Sequence, residues 1–153
     1  MVLPLHKITR SAQETKKLGA LVGAYLLTRP AGESGTRRVV CLYGELGSGK
    51  TTFVQGLAAS FGITKRLPSP TFVIVRHYNI PSTKRELYHI DLYRLQNEQD
   101  MVGAGIPEIL GNADAFVCIE WPERLESLLP RKRLDVQCVA RVDGAHVFSI
   151  KRI

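Results

Sequence analysis

A glycine-rich segment of eight residues constrains the fold of this chain more than any other feature. Residues 44–51 read GELGSGKT and match the pattern G-x-x-x-x-G-K-[ST] at every fixed position. An apolar run, VVCLY at 39–43, precedes the segment, and apolar residues at helical intervals follow it. A buried strand, a glycine-rich turn and a helix in this order predict a phosphate-binding loop, or P-loop.

Each residue type in this loop has a chemical reason. Glycines allow the backbone to curl so that successive N–H groups face a phosphate, and the helix N-terminus adds partial positive charge. Lys50 supplies a full charge for the β- and γ-phosphates, and the Thr51 hydroxyl is suited to bind Mg²⁺. Thr52 offers a further hydroxyl, although helix packing explains it equally well. We expect the phosphates to contact Gly44, Glu45, Leu46, Gly47, Ser48, Gly49, Lys50, Thr51 and Thr52.

Two acidic residues follow apolar runs farther along the chain and are candidates for a second Mg²⁺ ligand. Asp91 follows the run LYHI, and Glu120 follows the run AFVCI. In open α/β sheets ligands lie beyond the carboxyl ends of the strands, so both side chains are expected beside the loop. Either carboxylate could hold the ion, directly or through water, and each could instead cap the turn after its strand.

The remaining pattern predicts one α/β domain over residues 1–153, with a mixed, mainly parallel sheet flanked by helices. Strands are predicted at 3–8, 39–43, 71–78, 86–91 and 115–119. Helices are predicted from Ser11 to a loop at 29–35, over 50–61, over 96–110 in one or two pieces, and over 122–128. One apolar face of the first helix comprises Leu18, Leu21, Val22, Tyr25 and Leu26.

The C-terminal segment differs in kind from the segments before it. Residues 135–141 and 146–151 flank the pair Asp143-Gly144, which is a favoured two-residue turn of β-hairpins. This arrangement predicts an antiparallel hairpin at the edge of the sheet.

The composition limits the class of protein. The net charge of +7 indicates attraction to an anionic partner such as a nucleotide, a nucleic acid or an acidic protein surface. The basic residues are scattered along the sequence, so solvated loop ends are the simpler interpretation. Cys41, Cys118 and Cys138 lie in apolar runs without metal-ligand spacing, which indicates buried thiols. No segment resembles a membrane span or a signal peptide, so a cytoplasmic location is expected.

Four separate blocks are specific enough to compare with known families. They read YGELGSGKTTF at 43–53, SPTF at 69–72, HIDLYRL at 89–95 and IEWP at 119–122. Together with Thr15 and Leu18-Gly19 in the opening helix, these blocks resemble the TsaE family, also called YjeE. Their order and spacing and the total length agree, and the resemblance extends over nearly the whole chain.

The resemblance implies an accessory ATPase of tRNA modification. TsaE proteins act in bacterial synthesis of N6-threonylcarbamoyladenosine at position 37 of tRNAs that read codons starting with A. The transfer is done by TsaD, paired with TsaB, using threonylcarbamoyl-AMP made by TsaC. TsaE docks on the TsaB–TsaD pair, and its binding and hydrolysis of ATP to ADP reset that pair between turnovers. Contact of this chain with tRNA is expected to be indirect or weak.

The resemblance also implies catalytic roles for single residues. Lys50 and Thr51 bind phosphate and Mg²⁺, and Glu120 is the carboxylate on the Mg²⁺ side. Asp91 assists the metal or the water. Thr71, in a loop like a GTPase switch, senses the γ-phosphate.

Other implied roles lie farther from the reacting atoms. Ser11 and Thr15 are expected to border the adenine, and Trp121 to lie beside the site and face the partner. Two positions depart from the family pattern. Pro68 stands where a polar or basic residue is more usual, and Ala145 follows Gly144 where the family often has arginine.

Simpler interpretations stay open beside these roles. The segment Ser69-Pro70-Thr71 could be only a turn before a strand. His89 and Tyr93 are interpreted as satisfied core residues, and Arg94 as either a partner contact or half of a salt bridge. Two other functions are also possible for the chain. One is a small-molecule P-loop kinase, although the region after Asp91 lacks the arginine-rich lid usual in such enzymes. The other is a non-enzymatic tRNA-binding module, which only the net charge supports.

Overall fold

The computed structural model describes residues 1–28 and 38–153, and the loop predicted at 29–35 lies outside the described residues. The elements are β1 (Leu5–Thr9), α1 (Ala12–Leu27), β2 (Val39–Tyr43), α2 (Lys50–Ser60), β3 (Val75–Asn79), β4 (Glu86–Asp91), α3 (Glu98–Gly103), α4 (Ile106–Gly111), β5 (Phe116–Glu120), a 3-10 helix (Pro122–Leu128), β6 (Leu134–Ala140) and β7 (His146–Arg152). In this part of the chain, no helix is both long and apolar enough to cross a membrane.

The strands of the described residues form one sheet in the order β1-β7-β6-β2-β5-β4-β3. The four central strands, β6, β2, β5 and β4, are parallel neighbours, while β1, β7 and β3 pair antiparallel at the two sides. The predicted fold class, a mixed and mainly parallel α/β sheet flanked by helices, is therefore confirmed. Because β2, β5 and β4 run in the same direction, their carboxyl ends meet at one end of the sheet.

The C-terminal hairpin exists, but two details of its prediction are wrong. The hairpin is not the edge of the sheet, because β1 pairs with β7 along its whole length. The turn is longer than two residues: the Arg141 N–H donates to Ala145 O (2.8 Å), and the Gly144 N–H donates to Arg141 O (3.1 Å). Gly144 has a φ of 78°, so a turn followed by a left-handed glycine joins the strands.

The strand predicted at 71–78 begins later, at Val75, because the residues before it form a turn. Pro70 O accepts hydrogen bonds from the N–H groups of Val73 (2.8 Å) and Ile74 (2.6 Å). Ile74 has a φ of 65°, which is rare for a β-branched residue. Its carbonyl accepts from the Asp91 N–H (2.9 Å), so the turn is tied to the end of β4.

Helix α1 packs on α2 through glycines as well as through apolar side chains. Of the predicted apolar face, Leu18, Val22 and Leu26 are buried and Tyr25 is partly buried. Leu21 is 45% exposed, so its assignment to that face is wrong. The contact runs through Gly19 instead, where a Cβ would lie 2.0 Å from Phe53 O of α2. The two backbones approach so closely because no side chain stands between them.

An apolar core lies on each face of the sheet, because alternate residues of a central strand point to opposite sides. Val40 and Leu42 of β2 belong to the core that includes α1 and α2. Val39 and Cys41 belong to the core that includes α3 and α4. The three cysteines are buried free thiols, as predicted. The sheet is thus a rigid support for the loop that leaves β2.

Candidate active site

Residues 44–49 connect β2 to α2 and bring backbone N–H groups to the helix N-terminus. Gly44 (φ 136°) and Gly49 (φ 97°) adopt conformations that residues with a Cβ rarely enter. Gly44 also lacks room for a side chain, since a Cβ would lie 2.1 Å from Cys138 O on β6. The predicted reason for these glycines, a tightly curled backbone, therefore agrees with the geometry.

Lys50 is buried in the loop that precedes it. Its Nζ donates hydrogen bonds to Gly44 O (2.6 Å) and Glu45 O (2.9 Å). The same Nζ lies 4.5 Å from the centroid of the Trp121 ring, which is a cation–π distance. No described carboxylate pairs with this ammonium, so two backbone carbonyls and an aromatic face are its contacts among the described residues.

Glu120, at the end of β5, joins two elements at the floor of the site. Its Oε1 accepts from Thr51 Oγ1 (2.8 Å) at the start of α2. The same oxygen contacts His89 Nε2 at 2.8 Å, from the neighbouring strand β4. Oε2 takes part in neither contact. His89 and Glu120 are both almost fully buried, so the carboxylate has a fixed orientation.

The interpretation of His89 as a satisfied core residue therefore needs correction. The side chain is buried, but its Nδ1 has no hydrogen-bond partner among the described residues, and its Nε2 serves the site. Sequence reasoning missed this role. The spacing of the HID block carried the signal, because His89 and Asp91 are two residues apart on one strand and therefore point to the same face of the sheet.

Asp91, at the end of β4, organises the loop that carries Thr71. Its Oδ2 accepts from Thr71 Oγ1 and, at 3.5 Å, from Ser69 Oγ. Its Oδ1 accepts from the Tyr93 N–H (2.9 Å). Ser69, which was not predicted as a site residue, thus joins Thr71 at this carboxylate.

Tyr93 and Arg94 lie at the rim of the site. Tyr93 is 39% exposed and its ring packs on Trp121 with centroids 5.2 Å apart, so its interpretation as a core residue is wrong. The Arg94 guanidinium lies 4.5 Å from the centroid of the exposed Phe72 ring. Of the two alternatives for Arg94, the salt bridge is absent among the described residues.

These elements enclose a cleft of about 220 Å³. The predicted site residues that line it are Leu46, Gly47, Ser48, Gly49, Lys50, Thr51, Thr52, Thr71, Asp91 and Glu120. Ser69 and Trp121 complete the lining. Asp91 and Glu120 are register partners on neighbouring strands, which places both carboxylates opposite the loop as expected. Gly44 and Glu45 lie behind the cleft and turn their carbonyls to Lys50.

Ser11 and Thr15 do not line this cleft. The Ser11 hydroxyl caps α1 by accepting from the Glu14 N–H (3.1 Å). The Thr15 hydroxyl is buried and lies 2.7 Å from the Thr9 hydroxyl at the end of β1. Both side chains thus have structural contacts at the start of α1, and their assignment to the adenine stays a prediction.

The C-terminal hairpin packs against the glycine-rich loop through the first residues of β7. His146, the first residue of β7, donates from Nδ1 to Ser48 O (2.9 Å). A Cβ on Gly49 would lie 3.3 Å from the rings of His146 and Phe148. No sequence motif indicated this contact, because it depends on how β7 aligns with a loop almost a hundred residues away.

The oxygen atoms of the cleft suit a hard cation. Thr51 contributes a hydroxyl, and Glu120 and Asp91 contribute carboxylates, which are the ligand types that Mg²⁺ prefers. The described residues contain no cluster of three His, Cys, Asp or Glu side chains that could cage a metal alone. This donor set fits Mg²⁺, which is usually held by one or two carboxylates, water and substrate phosphates.

The parallel sheet, the curled loop at the N-terminus of α2 and the two carboxylates at adjoining strand ends define a P-loop protein. Within that class, the family profile "Threonylcarbamoyl adenosine biosynthesis protein TsaE" matches residues 9–146. The match covers most of the chain, so this protein belongs to the TsaE family. The resemblance inferred from its sequence blocks is confirmed.

Relatives extend this result over nearly the full chain. A Treponema pallidum protein named tRNA threonylcarbamoyladenosine biosynthesis protein TsaE is 39% identical over 143 residues, covering 94% of this chain and 97% of its own. A Rickettsia bellii protein of the same name is 34% identical over 151 residues, with coverages of 97% and 96%. The crystal structure of Bacillus subtilis YdiB is similar with a TM-score of 0.70 and 29% identity, covering 98% and 86% of the two chains.

Proposed function

We propose that this protein is a Mg²⁺-dependent ATPase that assists N6-threonylcarbamoylation of adenosine 37 in tRNAs reading codons that start with A. The observation that carries the proposal is the convergence of Lys50, Thr51, Thr71, Asp91 and Glu120 on one cleft. The relatives named for this biosynthesis, together with the family profile, support the pathway.

Phosphoryl transfer depends mainly on positioning and charge stabilisation, and the residues of the cleft divide these tasks. The Lys50 ammonium lies buried at the loop with only dipolar partners, so an incoming triphosphate supplies the missing countercharge. The N–H groups at the start of α2 add partial positive charge. Mg²⁺, when bound, neutralises charge on the phosphate oxygens, and Thr51 and Glu120 are the residues that would hold it.

Asp91 is the residue best suited to order the attacking water. It is a carboxylate with both oxygens engaged by loop groups, Thr71 on one side and Tyr93 on the other. The loop that carries Thr71 is therefore linked to the proposed base, and a change in that loop reaches the carboxylate directly. This link is a physical basis for the sensing role that we propose for Thr71.

The cleft contains no arginine in the described part of the chain. An arginine supplied by a partner accelerates related reactions by about 10³–10⁵-fold. We therefore expect slow hydrolysis by the protein alone and faster hydrolysis when TsaB and TsaD are added. The measurement is steady-state phosphate release with and without the pair, and equal rates would contradict this proposal.

Reconstitution tests the pathway itself. TsaB, TsaD, threonylcarbamoyl-AMP and unmodified tRNA are combined with and without this protein, in the presence of ATP or a non-hydrolysable analogue. Multiple turnovers of tRNA modification are expected only with the protein and hydrolysable ATP. Turnover that does not depend on this protein would refute the proposed assistance.

The same assays separate the two alternative functions. A small-molecule kinase would transfer the γ-phosphate to a metabolite, whereas the proposed ATPase releases it as inorganic phosphate. A non-enzymatic tRNA-binding module would bind tRNA without consuming ATP. A candidate base and a candidate cation site beside the loop favour nucleotide chemistry over the tRNA-binding module, and the acceptor of the γ-phosphate decides between the ATPase and the kinase.

A further inference from the structure

A second concave surface lies between α1, α2 and the loop that follows α2. This basic groove measures about 690 Å³ and shares no lining residue with the cleft. Its walls carry four cations: Lys16 and Lys17 on α1, and Lys65 and Arg66 on the loop. Small residues, Ala20, Gly56 and Ala59, stand between them. Cations that are 49 residues apart in the sequence thus face one groove.

The four cations are not used by the fold. All four side chains are exposed, and none has a hydrogen bond or ion pair with another described residue. No residue that lines the groove is acidic. Glu14, the acidic residue in the first turn of α1, points its carboxylate back to the Arg10 N–H (2.7 Å). The groove therefore concentrates positive charge without an internal countercharge.

The fold anchors the backbone of the loop that carries Lys65 and Arg66. Helix α2 ends at Ser60, Gly62 follows with a φ of 79°, and the chain then returns along the helix. Ile63 and Leu67 are buried at the two ends of the loop, and the Gln55 amide donates to Leu67 O (2.9 Å). The residues between these anchors are exposed, so the backbone of this wall is held in place while the charged side chains of Lys65 and Arg66 extend into solvent.

The opposite wall is held by a close backbone contact. A Cβ on Gly56 would lie 1.9 Å from Lys16 O, so α1 and α2 meet at this glycine without an intervening side chain. Helix α1 is thereby fixed against α2 where Lys16 and Lys17 begin the wall. Both walls are positioned by contacts that do not involve the charged groups themselves.

We propose that the basic groove binds the phosphate backbone of RNA. Lysine and arginine side chains that neutralise phosphates are the usual source of affinity for nucleic acid, and they carry no sequence information. The groove has no aromatic residue on which a base could stack, so backbone contact is the mode that its chemistry supports. The choice of RNA over other polyanions rests on the proposed function in tRNA modification.

An acidic protein segment fits the groove less well. Protein interfaces gain most of their affinity from large aromatic or apolar anchors that fill pockets. The exposed residues of this groove are cationic, polar or small, and its larger apolar residues, Ile63 and Leu67, are buried. Phosphate groups need only the charges that the groove already presents.

The test is binding of a fluorescent, unmodified tRNA transcript to the purified protein, measured by anisotropy between about 50 and about 200 mM salt. One double variant removes the helix cations, Lys16→Ala with Lys17→Ala. A second removes the loop cations, Lys65→Ala with Arg66→Ala. The matched control, Lys84→Ala with Lys151→Ala, removes two exposed cations that do not line the groove.

Four phosphate contacts predict a loss of affinity of about 100-fold across this salt range, because each contact contributes about 0.9 to the slope of log affinity against log salt. Each groove variant should lower the slope by about 2 and the salt-dependent loss to about ten-fold. The control should keep the wild-type slope. ATP hydrolysis should be unchanged in all three variants, so a failure of this proposal is distinguishable from a failure of the ATPase proposal.

Two outcomes would overturn the proposal. Equal weakening by the groove variants and the control would mean that tRNA responds only to net charge. Loss of polyglutamate binding in the groove variants, with their tRNA binding retained, would assign the groove to an acidic protein segment.

Thermal unfolding of each variant shows whether the fold is intact. The charge-conserving exchange Lys65→Arg with Arg66→Lys should retain wild-type binding of tRNA.

Discussion

The cleft and the basic groove both border α2, but the charged groups of the cleft are buried and partnered, whereas those of the groove are exposed and without partners in the part of the chain that the structure describes. In the cleft, Lys50, His89 and Glu120 are buried and contact groups from other elements within 3 Å. In the groove, exposed cations have no partner among the described residues. The cleft is thus a preorganised site in a low-dielectric environment, and the groove is a solvated electrostatic surface.

The difference predicts how substitutions behave in the two regions. Buried partners act as a unit, so one change in the cleft should have a large effect that salt hardly alters. Exposed cations act through a screened field, so each change in the groove should have a small effect that salt removes. This contrast is open to direct test, beginning with a lysine from each region.

Replacement of Lys50 should give the largest effect on activity. Lys50→Ala removes the only full positive charge that lines the described part of the cleft. Loss of one preorganised charge or donor at a developing negative charge costs about 10²–10³-fold in kcat. ATP-dependent support of tRNA modification should be abolished, and steady-state phosphate release measures the defect. The fold should stay intact, because Gly44 is only half-buried and Glu45 is exposed, so their freed carbonyls can bond water.

The matched control is Lys17→Ala, which removes the same charge from the groove. Its kcat should equal that of the wild type, and its melting temperature should be unchanged. If both lysines lowered kcat to the same extent, the two regions would not differ as the structure indicates. Circular dichroism on both variants separates a catalytic defect from unfolding.

His89 should give the next largest effect through Glu120. In His89→Leu the carboxylate loses one of its two donors at Oε1, so its orientation is less fixed. Partners that orient a metal-side ligand contribute about 10–100-fold in metal affinity or activity. We expect the Mg²⁺ concentration for half-maximal hydrolysis to rise by that factor. Nucleotide affinity measured without Mg²⁺ should not change.

Two further variants distinguish positioning from packing. His89→Gln keeps an N–H donor that can reach Glu120, so its Mg²⁺ concentration for half-maximal hydrolysis should lie close to that of the wild type. His77→Asn, on the exposed neighbouring strand β3, should have no effect. If the leucine and glutamine variants needed the same Mg²⁺ concentration for half-maximal hydrolysis, the N–H donor at residue 89 would have no effect. His89 would then only fill space.

The parts that sequence reasoning predicted correctly depend on local spacing. The glycines and Lys50–Thr51 predicted a strand, a curled loop and a helix, because the motif carries its own backbone requirements. The carboxylates were placed correctly since each ends an apolar run, and parallel strands bring such ends together. Residues close in sequence thus determined most of the cleft.

The parts that sequence reasoning missed depend on contacts between distant residues. The strand expected from residue 71 starts late because Thr71 bonds to Asp91, twenty residues away. The apolar face of α1 was misjudged at Leu21, since apolar counting does not register a glycine that packs by having no side chain. The groove was missed for the same reason: Lys16 and Lys65 meet only through helix packing.

The glycines of the cleft and the glycine beside the groove have different structural roles. Those of the cleft serve conformation, whereas Gly56, beside the groove, serves close approach. In Gly56→Ala a Cβ would stand 1.9 Å from Lys16 O, and because that atom is backbone, α1 has to shift. We expect a loss of about 1–3 kcal/mol in the free energy of unfolding.

The control for Gly56 is Gly111→Ala at the end of α4. A Cβ there meets nothing within 4 Å, so unfolding should be unaffected or the protein slightly stabilised. Urea unfolding of both variants measures the difference. Equal stability of the two variants would mean that α1 and α2 do not meet as closely as the structure shows.

The smallest effect concerns the sheet behind the cleft, where burial keeps the Cys41 thiol in its neutral form. Burial raises the pKa of the Cys41 thiol from 9.0 to about 12. The unfolded chain therefore releases this proton first as the pH rises above 9, and the free energy of unfolding falls between about pH 9 and about pH 12. At about pH 8 and below, this thiol contributes almost no pH dependence. Near pH 10 the loss should be about 1 kcal/mol.

Comparison with Cys41→Ala isolates this contribution. The substitution lowers stability at every pH by loss of packing, but it removes the thiol's proton release from the unfolded chain. The difference in unfolding free energy between wild type and variant should therefore shrink by about 1 kcal/mol from about pH 8 to about pH 10. Parallel pH profiles would contradict the burial of this thiol. A shrinking difference would instead show that the sheet behind the cleft excludes water at this thiol.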